Sequence, residues 1–287
     1  MSEPWTIGRV ATWTARDLAS RGLESPRFEA ELMVAHALGL RRIDIYLRME
    51  QPLDDAELAR IRGLVERRRR REPMAYILGT REFYRRSFTT DARALVPRPE
   101  TEQVVDEVLD ALRLSGDGVR RVLDIGTGTG AIAVTVALER PDTRVDAVDL
   151  SPAALSLASE NVVRLGATDQ VRLAEGRYFE PFAGERYDVV VSNPPYIPSA
   201  ECPTLMPEVS TWEPRMALDG GADGLDPLRE IARGALVALV PGGSLVVELG
   251  HDQGPAARRI AEEAGLRDVR VLRDPARFDR VLRATAP

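Results

Sequence analysis

Beyond Gly118 the chain alternates between two hydrophobic patterns. Short continuous apolar runs, at Val122-Leu123-Asp124-Ile125, Val145-Asp146-Ala147-Val148-Asp149, Val171 to Leu173, Val189 to Val191 and Leu245 to Leu249, read as buried strands. Between them lie helices predicted over Ala131 to Glu139, from the Ser151-Pro152 cap to about Leu165, over Leu228 to Leu239 and over Ala256 to Glu263. Val269 to Leu272 and Arg280 to Arg283 read as a closing hairpin. Strand and helix in alternation imply an α/β fold, a parallel sheet with helices on both faces.

The first part of the chain is patterned differently. From Ile7 to about Arg71 it is helical throughout. Ser25-Pro26 supplies an N-cap and a first-turn proline, Phe28, Leu32 and Ala35 recur on one face, and Gly39 ends that helix. A later helix starts near Asp54-Asp55, carries Leu58, Ile61 and Val65, and finishes in Arg67 to Arg71. Between Pro73 and Pro99 the pattern changes to strand-like pieces, Tyr76-Ile77-Leu78, Phe83-Tyr84 and Leu95-Val96, which suit a β-hairpin. Pro97-Arg98-Pro99 then leads into a helix carrying Val104, Val105, Val108 and Leu112, and Ser115-Gly116-Asp117-Gly118 breaks the chain before the alternating part. The expected organisation is a helical domain over 1–73, a hairpin linker over 74–100 and an α/β domain over 101–287.

Composition narrows the functions. No apolar run is long enough to span a bilayer, and Met1-Ser2-Glu3-Pro4-Trp5 has neither a basic start nor an apolar signal core, so a cytoplasmic protein with no membrane partner is expected. Cys202 is the only cysteine, which excludes an internal disulfide; with only His36 and His251 besides, no metal site is expected. The net charge of −6 speaks against a nucleic-acid coat, so no direct nucleic-acid requirement is expected. All 39 basic residues are arginine, which removes lysine as a general base. The run Arg67 to Arg71 suits a solvated helix end, or else a docking surface for an acidic or ribonucleoprotein partner.

Two stretches carry chemistry. Ser192-Asn193-Pro194-Pro195-Tyr196 follows directly on a buried strand, which the prolines must end. Ligands of open α/β sheets bind beyond the carboxyl ends of the strands. There the Asn193 side-chain oxygen and the Pro194 carbonyl can both accept hydrogen bonds from one planar NH2 group while the Tyr196 ring stacks on it. The second stretch, Asp124-Ile125-Gly126-Thr127-Gly128-Thr129-Gly130-Ala131, is a glycine-rich loop opening a helix, and nineteen residues beyond Gly130, Asp149 ends the next strand where it can bind a ribose. The loop also satisfies a loose dinucleotide pattern. Asp124, two residues before the first glycine, suits a cationic ligand better than a pyrophosphate, and Asn193 to Tyr196 have no role in hydride transfer. The ligand inferred is S-adenosylmethionine. Arg98 and Glu102 could form one wall of a cleft or simply start a helix, and the residues alone do not separate the two.

Asp124 to Gly130, Asp149 and Asn193 to Tyr196 resemble the class I S-adenosylmethionine-dependent methyltransferases that act on exocyclic or amide nitrogens. Arg71 to Gly79, Arg81 to Tyr84, Leu95 to Glu102 and Trp212-Glu213-Pro214 narrow the resemblance to the HemK/PrmC-type peptide chain release factor glutamine N5-methyltransferases. The resemblance implies a seven-stranded Rossmann-like sheet beside a small helical substrate-recognition domain. It also implies methylation of the glutamine in the Gly-Gly-Gln loop of class 1 release factors; a monomer is expected. By position, Asp124, Gly126, Thr127, Gly128, Thr129, Gly130, Asp149, Tyr178 and Asn193 would meet the cofactor; Asn193, Pro194, Pro195, Tyr196 and Arg98 would meet the substrate, with Asn193, Pro194 and Tyr196 catalytic. The family often has an acid just before the aromatic position, where this chain has Arg177; Glu175 or a backbone group could substitute. Two other readings stay in view: a methyltransferase for an exocyclic amino group of a nucleic-acid base, and a non-catalytic module that binds S-adenosylmethionine or docks on the ribosome.

Overall fold

The computed structural model describes residues 4–114 and 118–287, so Met1 to Glu3 and most of the break expected at Ser115 to Gly118 lie outside the described residues. The chain divides into two compact units, one of residues up to Gly79 together with Pro207–Trp212, the other of Thr80–Met206 and Glu213–Pro287.

The first unit is helical: Ile7–Ser20, Pro26–Leu38, Arg42–Leu47, Asp55–Arg69 and Met74–Leu78 surround a core that includes Ile7, Leu18, Met33, Val34, Ile61 and Val65. Local chemistry sets its helix ends. Asp54 accepts from the Glu57 amide at 2.7 Å while Glu57 returns a bond to the Asp54 amide at 2.9 Å, so the first turn is satisfied from both sides. Gly39, at φ +65°, closes the second helix in the left-handed conformation that an L side chain resists. Three expectations need correction here. Ser25 makes no side-chain cap, leaving the first-turn proline to begin that helix. Phe28 is half-exposed beneath the Arg42 guanidinium, because the helix turns Ala30, Met33 and Val34 to the core. Tyr76-Ile77-Leu78, read as strand-like, belongs to the short helix Met74–Leu78, which Gly79 ends; burying those apolar side chains decides its form over their β-propensity.

Four arginines of the run, all but exposed Arg70, are held in ion pairs and do not form a free basic surface. Arg68 is buried and bonds Glu29 at 2.7 Å and Glu208 at 2.8 Å; Arg71 reaches Glu208 at 2.8 Å, Arg69 reaches Asp17 at 2.8 Å, and Arg67 reaches Glu72. The indole of Trp212 donates to the Arg70 carbonyl at 3.1 Å. Segment Pro207–Trp212 is therefore fastened to this unit by charge-assisted bonds.

The second unit opens with the hairpin β1 (Thr80–Phe83) and β2 (Arg86–Thr89); Leu95 and Val96 form no strand. The helix Thr101–Leu114 follows, then β3 (Arg120–Ile125), β4 (Thr143–Asp149), β5 (Val171–Glu175), β6 (Tyr187–Ser192), β7 (Leu239–Glu248), β8 (Arg267–Arg273) and β9 (Asp279–Thr285). These seven form one sheet in the order β5-β4-β3-β6-β7-β9-β8, parallel except for β9, which runs against both β7 and β8. Alternate residues feed two cores. Val122, Val145, Val189 and Val246 pack on one face with the helices Thr101–Leu114 and Ala131–Glu139; Leu123, Val148, Val190 and Leu245 pack on the other with Asp226–Ala238 and Gly254–Glu263. Burial of both faces explains why these strands read as unbroken apolar runs.

Candidate active site

The strand order reverses between β3 and β6, and that is where the site forms. The register Asp124↔Val191 and Ile125↔Ser192 brings Gly126 beside Asn193, and the Ser192 hydroxyl locks the junction by donating to the Ile125 carbonyl at 2.7 Å. A cavity of about 510 Å³ lies here, within the range of small-molecule sites. Its wall includes Gly126, Thr127, Gly128, Thr129, Asp149 and Tyr178 on one side and Arg98, Thr101, Asn193 and Pro195 on the other.

The glycine loop is shaped by conformations that other residues resist. Gly126, Gly128 and Gly130 have φ of +73°, +57° and +79°, the left-handed region that L side chains resist. Asp149 holds the loop from β4: one carboxylate oxygen accepts from the Gly128 amide at 2.8 Å, the other from the Ser151 amide at 2.9 Å. Each oxygen keeps a lone pair, the pair that two vicinal hydroxyls would use. Burial pushes Asp149 above the ordinary carboxylate range, opposed by these amides. Asn161, fully buried, is a support not anticipated from the sequence; its amide donates to the Thr129 carbonyl at 2.9 Å and to the Thr89 carbonyl at 3.0 Å, tying the loop to the hairpin.

Asp124 departs from expectation. It is fully buried and forms no part of the cavity wall; it accepts from the Thr127 hydroxyl at 2.7 Å and the Ala133 amide at 3.2 Å, so it braces the loop from behind. Burial, with Asp149 nearby, pushes its pKa up to about 7.

On the opposite wall the Asn193 Nδ2 donates to the Thr101 Oγ1 at 3.1 Å, which leaves Asn193 Oδ1 without a donor among the described residues. The Thr101 hydroxyl lies 2.6 Å from Glu248 Oε2, and the Tyr196 hydroxyl lies 3.4 Å from Glu248 Oε1. Glu248 ends β7, is 1% exposed, and is pushed up to about 7 by burial. Burial and Glu248 together raise the Tyr196 phenol well above its ordinary value. The main chain of this stretch is clamped: Gln253 donates to the Tyr196 carbonyl at 2.9 Å, and a Cβ on Gly224 would come within 2.3 Å of that same oxygen. The Pro194 carbonyl accepts no hydrogen bond among the described residues. Pro194 and Tyr196 are not part of the cavity wall.

Arg98 reaches the wall because Glu213, buried, pairs with its guanidinium and also accepts from the Val96 amide at 3.2 Å. Glu102 does not join it; its carboxylate accepts from the Tyr84 amide at 2.8 Å, and Thr101 takes the place in the wall. Tyr178 lines the cavity at φ +51°, with the Arg177 guanidinium 5.2 Å from its ring centroid. Glu175 is exposed and outside the wall, so it does not stand in for the acid that Arg177 replaces.

Comparison with known proteins decides what family this site belongs to. The chain is 46% identical over 280 residues to a release factor glutamine methyltransferase of Geobacter sulfurreducens, covering 98% of this chain and 96% of the relative. The chain belongs to the release factor glutamine methyltransferases. Another member, from Moorella thermoacetica, is 42% identical over 276 residues, covering 96% of each chain. The model of the PrmC N-terminal domain matches residues 10–79, and that of the methyltransferase small domain matches residues 106–205. Among solved structures, the hMettl16 catalytic domain in complex with a MAT2A 3′UTR hairpin aligns with a TM-score of 0.57 over 82% of this chain and 84% of that one; at 16% identity the likeness speaks for the fold alone. As a release factor glutamine methyltransferase, the chain carries the seven-stranded sheet and helical N-terminal domain that its sequence led us to expect.

Proposed function

We propose that Asn193 and Pro194 receive the glutamine side-chain amide of the Gly-Gly-Gln loop of a class 1 release factor at the carboxyl end of β6. The protein is an S-adenosylmethionine-dependent protein-(glutamine-N5) methyltransferase. The residues present fit that cofactor. Glycines at 126, 128 and 130 open the loop backbone to a ligand, Asp149 keeps lone pairs free on both carboxylate oxygens, and Tyr178 and Leu150 offer apolar surface for a flat base. Thr127 and Thr129 complete this side. When bound, the cofactor supplies an electrophilic methyl group on a sulfonium that leaves as a thioether.

An amide nitrogen is a poor nucleophile because its lone pair is delocalised into the carbonyl. Asn193 Oδ1 and the Pro194 carbonyl accept its two hydrogens and hold the nitrogen in line for attack. As the nitrogen–carbon bond forms, the same oxygens stabilise the positive charge developing on the N–H groups; once the methyl has transferred, one of these protons is acidic and is lost to water, so no strong base is needed beforehand. Tyr196 and Pro195 limit the angle of the amide, and Arg98 lies where it can meet the substrate main chain. The observation that carries the reading is the commitment of Asn193 Nδ2 to Thr101, which leaves an acceptor, not a donor, for the incoming NH2.

The helical unit serves substrate recognition, and the enzyme works as a cytoplasmic monomer without nucleic acid; no helix among the described residues is long and apolar enough to cross a membrane. The test offers purified release factor and single-stranded oligonucleotides as competing acceptors with labelled S-adenosylmethionine. Label is expected in the release factor alone; label in the oligonucleotide would overturn the reading in favour of a base methyltransferase.

A further inference from the structure

We infer that Glu248 is a positioning residue for methyl transfer: through the Thr101 hydroxyl it fixes which way the Asn193 amide faces, and through the Tyr196 hydroxyl it anchors the ring. The inference rests on the reading that Asn193 Oδ1 accepts from the substrate nitrogen, and it adds the device that keeps that oxygen outward.

A carboxamide has two ends of nearly the same shape and opposite hydrogen-bonding sense, so its orientation is set by its partners. Here the partner is a hydroxyl, which can donate or accept. Thr101 has one hydroxyl proton, and Glu248 Oε2 lies 2.6 Å away. An ionised carboxylate only accepts, so it takes that proton, and the Thr101 oxygen is left to accept from Asn193 Nδ2 at 3.1 Å. Asn193 Oδ1 then faces the cavity. The phenol of Tyr196 likewise can only donate to an ionised Glu248, 3.4 Å distant. A protonated Glu248 removes the bias. The acid then donates to the Thr101 oxygen, the Thr101 hydroxyl is free to donate a hydrogen bond to the Asn193 oxygen, and the amide turns its NH2 group outward to meet the substrate NH2, donor against donor.

The charge balance around Glu248 makes this sensitive near neutrality. Arg280 on β9 favours the carboxylate, whereas burial and the charge of Glu100 oppose it; Tyr196 and Thr101 supply the hydrogen bonds, and Arg98 faces Tyr196. The carboxyl titrates at about 7. Placement explains the arrangement. β7 lies beside β6 with Ser192↔Val247, so Glu248 follows the last β7 residue paired with β6 as Asn193 follows its partner on β6, while Thr101 begins the helix Thr101–Leu114.

Four variants test it: Thr101→Val, Thr101→Ser, Glu248→Gln and Asn193→Ala. For each, kcat and KM for release factor are measured over about pH 6 to 9, a span that brackets a neutral titration, with the Kd for S-adenosylmethionine by calorimetry and melting curves as a check on folding. Thr101→Val should lower kcat by about ten- to a hundredfold, as expected for a buried amide whose partner is lost, with KM and cofactor Kd nearly unchanged. Thr101→Ser should restore the rate. The deficit of Glu248→Gln relative to wild type should widen with pH, from little at the acid end to about tenfold at the alkaline end; taking the ratio cancels any titration of Asp124, which both proteins share. Wild-type kcat in Thr101→Val, or a Glu248→Gln deficit that does not change with pH, would overturn the inference. If Glu248→Gln does not fold, the Thr101 pair decides alone. Should Asn193→Ala itself be fully active, the underlying reading of the site fails; should it be inactive while Thr101→Val is normal, only the role of Glu248 and Thr101 fails.

Discussion

The helical unit and the catalytic pocket both bury charged groups, and they treat them in opposite ways. In the helical unit, burial works against Glu208 and Glu31, yet Arg68 and Arg71 on the one and Tyr46, Arg27 and Arg42 on the other hold both below the ordinary carboxylate range. Around the pocket, Asp124 and Glu248 are more deeply buried and bond only hydroxyls and an amide, and burial carries both up to about 7. Several hydrogen-bonded partners, cations among them, on a less deeply buried acid make it a permanent fastening, whereas the single Arg98 guanidinium leaves buried Glu213 above the ordinary carboxylate range. Hydroxyl and amide partners leave a buried acid adjustable, able to direct hydrogen bonds and to change state near neutral pH. The first arrangement holds a segment of chain in place; the second arranges a reacting group.

Substitutions can break that contrast, beginning with the pocket. Asn193→Ala should lower kcat by about two to four orders of magnitude, the range supplied by a single preorganised polar group, with cofactor affinity much less affected. Arg68→Ala acts on the other side of the comparison. It leaves Glu29 and Glu208 without their shared cation and should destabilise the protein by roughly 3–5 kcal/mol, measured by denaturant unfolding, while the protein that remains folded keeps its kcat. The pH dependence of stability sharpens the contrast further. Because folding raises the pKa of Glu248 from the ordinary 4.5 to about 7, its contribution to stability is complete at acid pH and is lost as the pH rises through 7. Melting curves should therefore shift in favour of Glu248→Gln as the pH goes from about 5 to 8, by on the order of 1–3 kcal/mol. Glu31 and Glu208 behave in the reverse sense, with stability lost as the pH falls. The smallest effect is expected at Arg27, whose side chain is 77% exposed beside Glu31: Arg27→Ala should leave the melting temperature within experimental scatter, because Arg42 and Tyr46 still hold that carboxylate.

What could be read from the chain in advance followed sequence distance. The glycine loop, Asp149 and the stretch Asn193 to Tyr196 declare themselves locally, because each is a short run at the end of an apolar strand whose residue types limit what the backbone and ligand can do. The supports do not. Thr101, Glu248 and Glu213 come from segments far from Asn193 and from one another, and only the sheet register and the turn before Thr101 bring them together. One signal was present: Glu248 is a lone acid closing the apolar run Leu245-Val246-Val247, a place where a charge is expensive unless it is used. The arginine run was misread for the same reason, since its carboxylates, Asp17, Glu29 and Glu208, are remote in sequence. Phe28, Leu32 and Ala35 share a face by periodicity, but their helix carries apolar residues around more than one face, and periodicity does not choose which of these is buried.

The most direct measurement is fragmentation mass spectrometry of the Gly-Gly-Gln peptide from purified release factor after incubation with S-adenosylmethionine and either the wild-type protein or Asn193→Ala. One methyl group on the glutamine side-chain nitrogen with the wild type, and almost none with the variant in the same time, is the predicted result. Methyl placed on another atom, or equal methylation by Asn193→Ala, would contradict the account.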